Sequence, residues 1–147
     1  MKKLIPIMAL CWLAAQVSAA EWLTDLPKAL AQAKAEHKQV LMEFTGSDWC
    51  PPCKALHKNV MTSPEFEAYA QKNLVLVELD FPHAKKQTEE LKTANKALAE
   101  KYKIEGFPTV IVLDGDGKEL SKDVGYSGEQ PKVIIEKLEQ LKKKESP

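Results

Sequence analysis

The 147 residues carry 21 basic and 21 acidic side chains, so the formal net charge is zero, and every basic residue is lysine. That balance argues against a nucleic-acid partner. The lack of arginine rules out a twin-arginine export signal and bidentate guanidinium clamps on phosphate.

Lys2 and Lys3 precede an apolar run from Leu4 to Val17, and Val17-Ser18-Ala19 supplies small residues after it. Residues 1–19 are therefore expected to be a signal peptide, cut after Ala19 or Ala20, which sends the chain to the periplasm or otherwise outside the cell. A retained N-terminal anchor is the alternative, although the run is short for a membrane span. Cleavage removes Lys2 and Lys3, leaving 19 lysines against 21 acidic residues, a net charge of −2. It also removes Cys11, so Cys50 and Cys53 become the remaining cysteines. A loop this short would staple little chain, so the pair reads as chemistry rather than scaffolding. Residues 20–147 suit one domain with a real hydrophobic core.

Leu26, Leu30 and Ala33 recur at helical spacing around Pro27, which predicts a helix over 25–37. Val40 to Thr45 is a short apolar run of buried-strand type. Gly46-Ser47-Asp48 turns the chain into Trp49-Cys50-Pro51-Pro52-Cys53, and a helix is expected from there to Met61. Ser63-Pro64 restarts it as an N-cap and first-turn proline, carrying Phe66 and Tyr69. Leu74 to Asp80 is the next strand, and Phe81 to Thr88 a polar connection.

Leu91, Ala94, Leu98 and Tyr102 mark one face of a helix ending near Lys103. Thr109 to Leu113 is a β-branched strand, and Asp114-Gly115-Asp116-Gly117 a hairpin turn into a last strand near Lys118–Val124. Ile134, Leu138 and Leu141 line a final helix whose lysine-rich end suits the negative pole of its dipole. The order α-β-α-β-α-β-β-α predicts an α/β fold: a central mixed four-stranded sheet with helices on both faces.

Disulfide exchange needs a stabilised thiolate beside a second thiol, and a Cys-X-X-Cys pair opening a helix after a buried strand provides it. Cys50 would be the N-cap, where free amides and the helix dipole favour the anion. Cys53, one turn inward, would resolve the mixed disulfide. Neither Pro51 nor Pro52 has an N–H to offer the Cys50 sulfur, which leaves the Cys53 amide as the nearby donor. A moderate thiolate and a reducing pair are expected.

Metal and cofactor readings have weaker support, and no cofactor or metal is expected. Zinc usually takes four ligands, and no second cysteine pair exists; His57 and His83 could complete a set only at poor spacing. Both histidines read as solvated. Lys54 stands where covalent haem attachment requires histidine. Asp114-Gly115-Asp116-Gly117 resembles the start of a calcium loop, but Gly125 occupies the position that needs glutamate.

Trp49-Cys50-Pro51-Pro52-Cys53-Lys54 after a buried strand, with Gly106-Phe107-Pro108-Thr109 before a later one, resembles the thioredoxin superfamily. Glu43 to Cys50 is more similar to exported bacterial members and to the C-terminal domain of the reductase DsbD than to cytosolic thioredoxin. The resemblance implies a redox-active Cys50–Cys53 disulfide. It makes Pro108 a cis-proline facing the cysteines, and Trp49, Phe107 and Pro108 a substrate-docking surface. Glu43 would be a buried acid that takes the Cys53 proton. The competing reading of Glu43 is a solvated strand-edge residue, with Met42 and Phe44 owning the buried face.

Three departures stand out: one extra residue lies between Phe44 and Trp49, no proline kinks the helix after the motif before Pro64, and the stretch from Phe81 to Asn95 is longer and more polar, either a partner-recognition loop or a longer helix start. The expected activity is thiol–disulfide exchange, leaning reductase, by a monomer. Its partners would be disulfide- or thiol-containing envelope proteins and a membrane thiol reductase. A copper- or zinc-handling protein built on the same cysteines with His57, and a chaperone-like binding module, are the alternatives.

Overall fold

A computed structural model describes residues 20–145; the expected signal segment lies outside the described residues. The elements are β1 (Trp22–Leu23), α1 (Leu26–Glu36), β2 (Gln39–Thr45), α2 (Pro51–Leu56), α3 (Pro64–Asn73), β3 (Leu74–Asp80), α4 (Glu89–Lys101), β4 (Thr109–Leu113), β5 (Glu119–Val124) and α5 (Pro131–Glu145). A π-helical turn, His57–Met61, continues α2. The sheet order is β1-β3-β2-β4-β5, with β1 and β2 parallel to β3, and β4 antiparallel to both β2 and β5.

The sheet therefore has five strands rather than the expected four. The addition is β1, two residues paired Trp22 to Leu76 and Leu23 to Val77 at the edge of β3. A strand this short has no alternation to read, so nothing in its own sequence announces it.

β2 is the central strand, buried along its whole length. Its alternation divides the core. Val40, Met42 and Phe44 join Val75, Val77 and Leu79 of β3 against α1 on one face. Leu41 joins Leu74 and Leu76 against Leu56, Val60, Phe66 and Leu138 on the other. Burying each such side chain contributes about 1.5–3 kcal/mol. Glu43 and Thr45 follow Leu41 on the second face, and Glu78 and Asp80 follow Leu76. The carboxyls thus lie on the side where α2 packs.

The helices begin where the sequence supplies caps. Asp25 accepts the Lys28 amide at 2.9 Å, Ser63 the Phe66 amide at 3.3 Å and Thr88 the Leu91 amide at 3.2 Å. Asp114 closes the hairpin turn by accepting the Asp116 and Lys118 amides at 2.9 and 2.8 Å, with Gly117 at φ 86°.

The face of α4 marked by Leu91, Leu98 and Tyr102 is partly buried, but Asn95 is buried in place of Ala94, which is exposed. A polar side chain can sit there because Asn95 Nδ2 donates to the Asp80 carbonyl at 3.0 Å.

Candidate active site

Cys50 caps α2, with Pro51 and Pro52 filling the first turn. Its sulfur accepts the Cys53 amide at 3.4 Å and is joined to Cys53 in a disulfide with Cα atoms 5.3 Å apart. Cys50 is only 3% exposed and Cys53 1%. The first value is lower than an accessible nucleophile suggests: in the oxidised pair the Cys50 side chain turns onto its own helix instead of outward.

The loop before the motif is tied down by carboxylates. Asp80, at the end of β3, accepts the Ser47 amide at 2.9 Å and the Ser47 hydroxyl at 2.6 Å. The Asp48 carboxylate accepts three consecutive backbone amides, from His83, Ala84 and Lys85, at 2.9, 2.7 and 3.0 Å. Those bonds hold the Asp48 pKa down at about 2. The Phe81–Thr88 connection is therefore anchored to the motif. Asp48 lies in the expected turn, and its sequence carries one signal of this anchoring role, the aptitude of aspartate for capping free amides.

Trp49 is 38% exposed and bridges the two segments. Its Nε1 donates to the Phe81 carbonyl at 2.8 Å, and its indole stacks on His83 with centroids 4.5 Å apart. Phe107 meets the indole edge-on at 5.9 Å and Phe81 at 5.3 Å. His83, read as merely solvated, is thus part of an aromatic cluster beside the cysteine motif. The indole also explains Gly46, since a Cβ there would fall 2.5 Å from the ring. The Phe107–Pro108 peptide bond that leads into β4 is cis.

Glu43 is 2% exposed on the central strand, which overturns the solvated-edge reading. Met42 and Phe44 do own a buried face, but a central strand under helices has two. Glu43 Oε1 has no hydrogen-bond partner among the described residues. Burial first, then the charges of Glu78 and Asp80, push its pKa up to about 8. A cavity of about 190 Å³ joins Glu43 and Cys53, with Ser47, Lys54, His57 and Glu78 also on its wall. That is room enough for water.

The cysteines and histidines do not assemble into a metal cage: among the described residues no group of three His, Cys, Asp or Glu side chains could hold an ion. His57 sits beside Trp22, with ring centroids 6.5 Å apart, while His83 is on the Trp49 indole.

A disulfide capping the helix that follows the central strand of a mixed sheet, with a cis X-Pro bond leading into β4, defines the thioredoxin-fold class of thiol–disulfide proteins. The thioredoxin-like domain family matches residues 26–142, and the chain belongs to it, within its Dsb-like oxidoreductase branch. The chain is similar to the disulfide bond reductase DsbH of Chlamydia pneumoniae, 39% identical over 95 residues that cover 65% of this chain and 57% of that protein. A solved DsbH oxidoreductase superposes with a TM-score of 0.79 at 32% identity, covering 86% of each chain. The reduced C-terminal domain of Neisseria meningitidis DsbD superposes at 0.60 with 26% identity, covering 78% of this chain and 92% of that one.

Proposed function

We propose that the chain is an exported thiol–disulfide oxidoreductase that reduces disulfides of envelope proteins through Cys50 and Cys53. The observation that carries this reading is the Cys50–Cys53 disulfide at the N-terminus of α2, with a buried carboxyl and the resolving cysteine on one cavity. The basic start and apolar run of residues 1–19 support export.

In the reduced protein the Cys50 thiolate attacks a substrate disulfide, forming a mixed disulfide and expelling the substrate's other sulfur. Cys53 gives its proton to Glu43 and attacks the Cys50 sulfur. The substrate leaves as a dithiol and the Cys50–Cys53 bond re-forms. With a pKa of about 8, Glu43 exchanges protons near neutral pH, where a general acid–base serves best. Trp49, Phe107 and the Pro108 loop supply an apolar ledge along which an extended substrate segment pairs. A membrane thiol reductase of the DsbD kind would reset the disulfide.

The full chain should reduce insulin with dithiothreitol as donor. Cys50→Ser should abolish turnover, and Cys53→Ser should trap mixed disulfides. Turnover that survives Cys50→Ser, or stoichiometric copper or zinc binding without turnover, would defeat the reading. A glutathione titration fixes the direction: a potential near the ~−120 mV of strong oxidants would reverse the reductase assignment.

A further inference from the structure

Glu43 is only 2% exposed, yet each exchange moves one proton between Cys53 and the outside. The parallel register of β2 and β3 pairs Glu43 with Glu78 and Thr45 with Asp80. Side-chain alternation sets all three carboxyls on the face that α2 covers. Asp80 is engaged by the Ser47 amide and hydroxyl, with Lys85 Nζ 3.7 Å away. Glu78 is half-buried and stands on two walls at once. It lines the cavity that holds Glu43 and Cys53, and also an adjoining groove of about 270 Å³ beside Lys85, Lys86 and Gln87.

We propose that Glu78 is a positioning residue of the thiol exchange, the carboxyl that passes a proton between Glu43 and the solvent of the outer groove. The inference rests on the reading of the chain as a thiol–disulfide oxidoreductase. When an external thiol loses its proton to water and attacks Cys50, a new sulfur–sulfur bond forms and the Cys50–Cys53 bond breaks. Cys53 departs with the electron pair and takes the Glu43 proton. Glu43 is then a carboxylate facing Glu78, and a proton from the groove restores it by way of the Glu78 carboxyl. The proton the thiol released is thereby returned, and the reverse direction runs the same path outward.

The charges around Glu78 suit a carboxyl that changes state. Burial, then Asp80 on its own strand, raise its pKa, while Lys85 and His57 oppose them. Lys54 lies on the cavity wall and Glu43 on the neighbouring strand. Glu78 in turn is the largest single charge effect on Glu43 after burial.

The test uses the full chain, wild type against Glu78→Gln and Glu78→Asp. The Glu43 carboxyl is titrated by carbon-13 NMR in the oxidised protein, with Glu43→Gln assigning its signal. Reduction by dithiothreitol is followed from pH 5 to 9, and the variant-to-wild-type ratio cancels the reductant's own ionisation. In Glu78→Gln the Glu43 midpoint should fall by about one pH unit. Reduction should slow about threefold or more, in a pH-dependent way, and Glu78→Asp should recover most of both. An unmoved midpoint, or a pH-independent rate ratio even with a moved midpoint, overturns the proposal. If the Glu78 variants do not fold, the wild-type titration decides: coupled carboxyls show shared inflections, and a single Glu43 inflection overturns it. A wild type that fails to reduce insulin defeats the oxidoreductase reading separately, because the carboxyl coupling is read without turnover.

Discussion

The imidazole of His83 lies flat on the indole of Trp49, their centroids 4.5 Å apart and their planes 4° from parallel. One ring comes from the segment after β3 and the other from the residue before Cys50, so the stack fastens the connection to the motif. His83→Ala should cost about 0.5–1 kcal/mol of stability, the usual worth of such a pair. It should also raise the KM for a protein disulfide about two- to fivefold with kcat nearly unchanged. Chemical denaturation and steady-state insulin reduction check the two halves.

Asp48 holds the same connection through its backbone. Asp48→Ala should strip protection from the His83, Ala84 and Lys85 amides in hydrogen exchange while leaving the β2 and β3 amides protected. The pH dependence follows from the depressed pKa. The folded value of about 2 lies below the ordinary 3.8, so the anchoring is complete above pH 3.8 and lost as pH falls toward 2. Protection factors, with the intrinsic pH dependence of exchange divided out, should differ between pH 5 and pH 2.5 at these three positions in the wild type and not in Asp48→Ala.

For Glu43 the sign reverses. Its folded pKa of about 8 lies above the ordinary 4.5, so the folded state binds the extra proton between those values. The linked stability is complete below pH 4.5 and is lost as pH rises toward 8. Glu43→Gln should abolish that loss and be more stable than the wild type at pH 8.5, by on the order of 1–3 kcal/mol. Its insulin reduction should nonetheless fall. Urea midpoints at pH 5 and 8.5 measure the crossover.

The two prolines of the motif restrict what the Cys50 sulfur can accept. Pro52 occupies the second helical position, one of the two from which an N-cap side chain ordinarily draws an amide. Pro52→Ala supplies that N–H, should stabilise the thiolate and should make the pair more oxidising. A rise of about 30 mV, equivalent to ~1.4 kcal/mol, is expected in a glutathione titration.

Where signals were local, the sequence was informative. The strand before the motif, the Ser63-Pro64 helix start and the Asp114 turn rest on short-range chemistry, and each forms as read. Contacts that depend on how separate elements are placed were not legible. Asp48 meets His83 to Lys85 only because the end of β3 lies beside the end of β2, and Asn95 turns inward only because the Asp80 carbonyl is there to receive it. Glu43 shows both sides. Its place beside the motif was readable, but an alternating pattern cannot reveal that its strand is covered on both faces. The Glu78 partnership needed the register itself.

The two-residue strand β1 has a geometric consequence. Because it runs parallel to β3 from Trp22 beside Leu76, Ala20 and Glu21 sit with Gln71 and Leu74 at the N-terminal end of that strand. Cys50 follows the opposite, C-terminal end of β2, which is parallel to β3. Residue 20 and the disulfide occupy opposite poles of the sheet. A tether joined ahead of residue 20 would leave the disulfide facing away from whatever surface holds it.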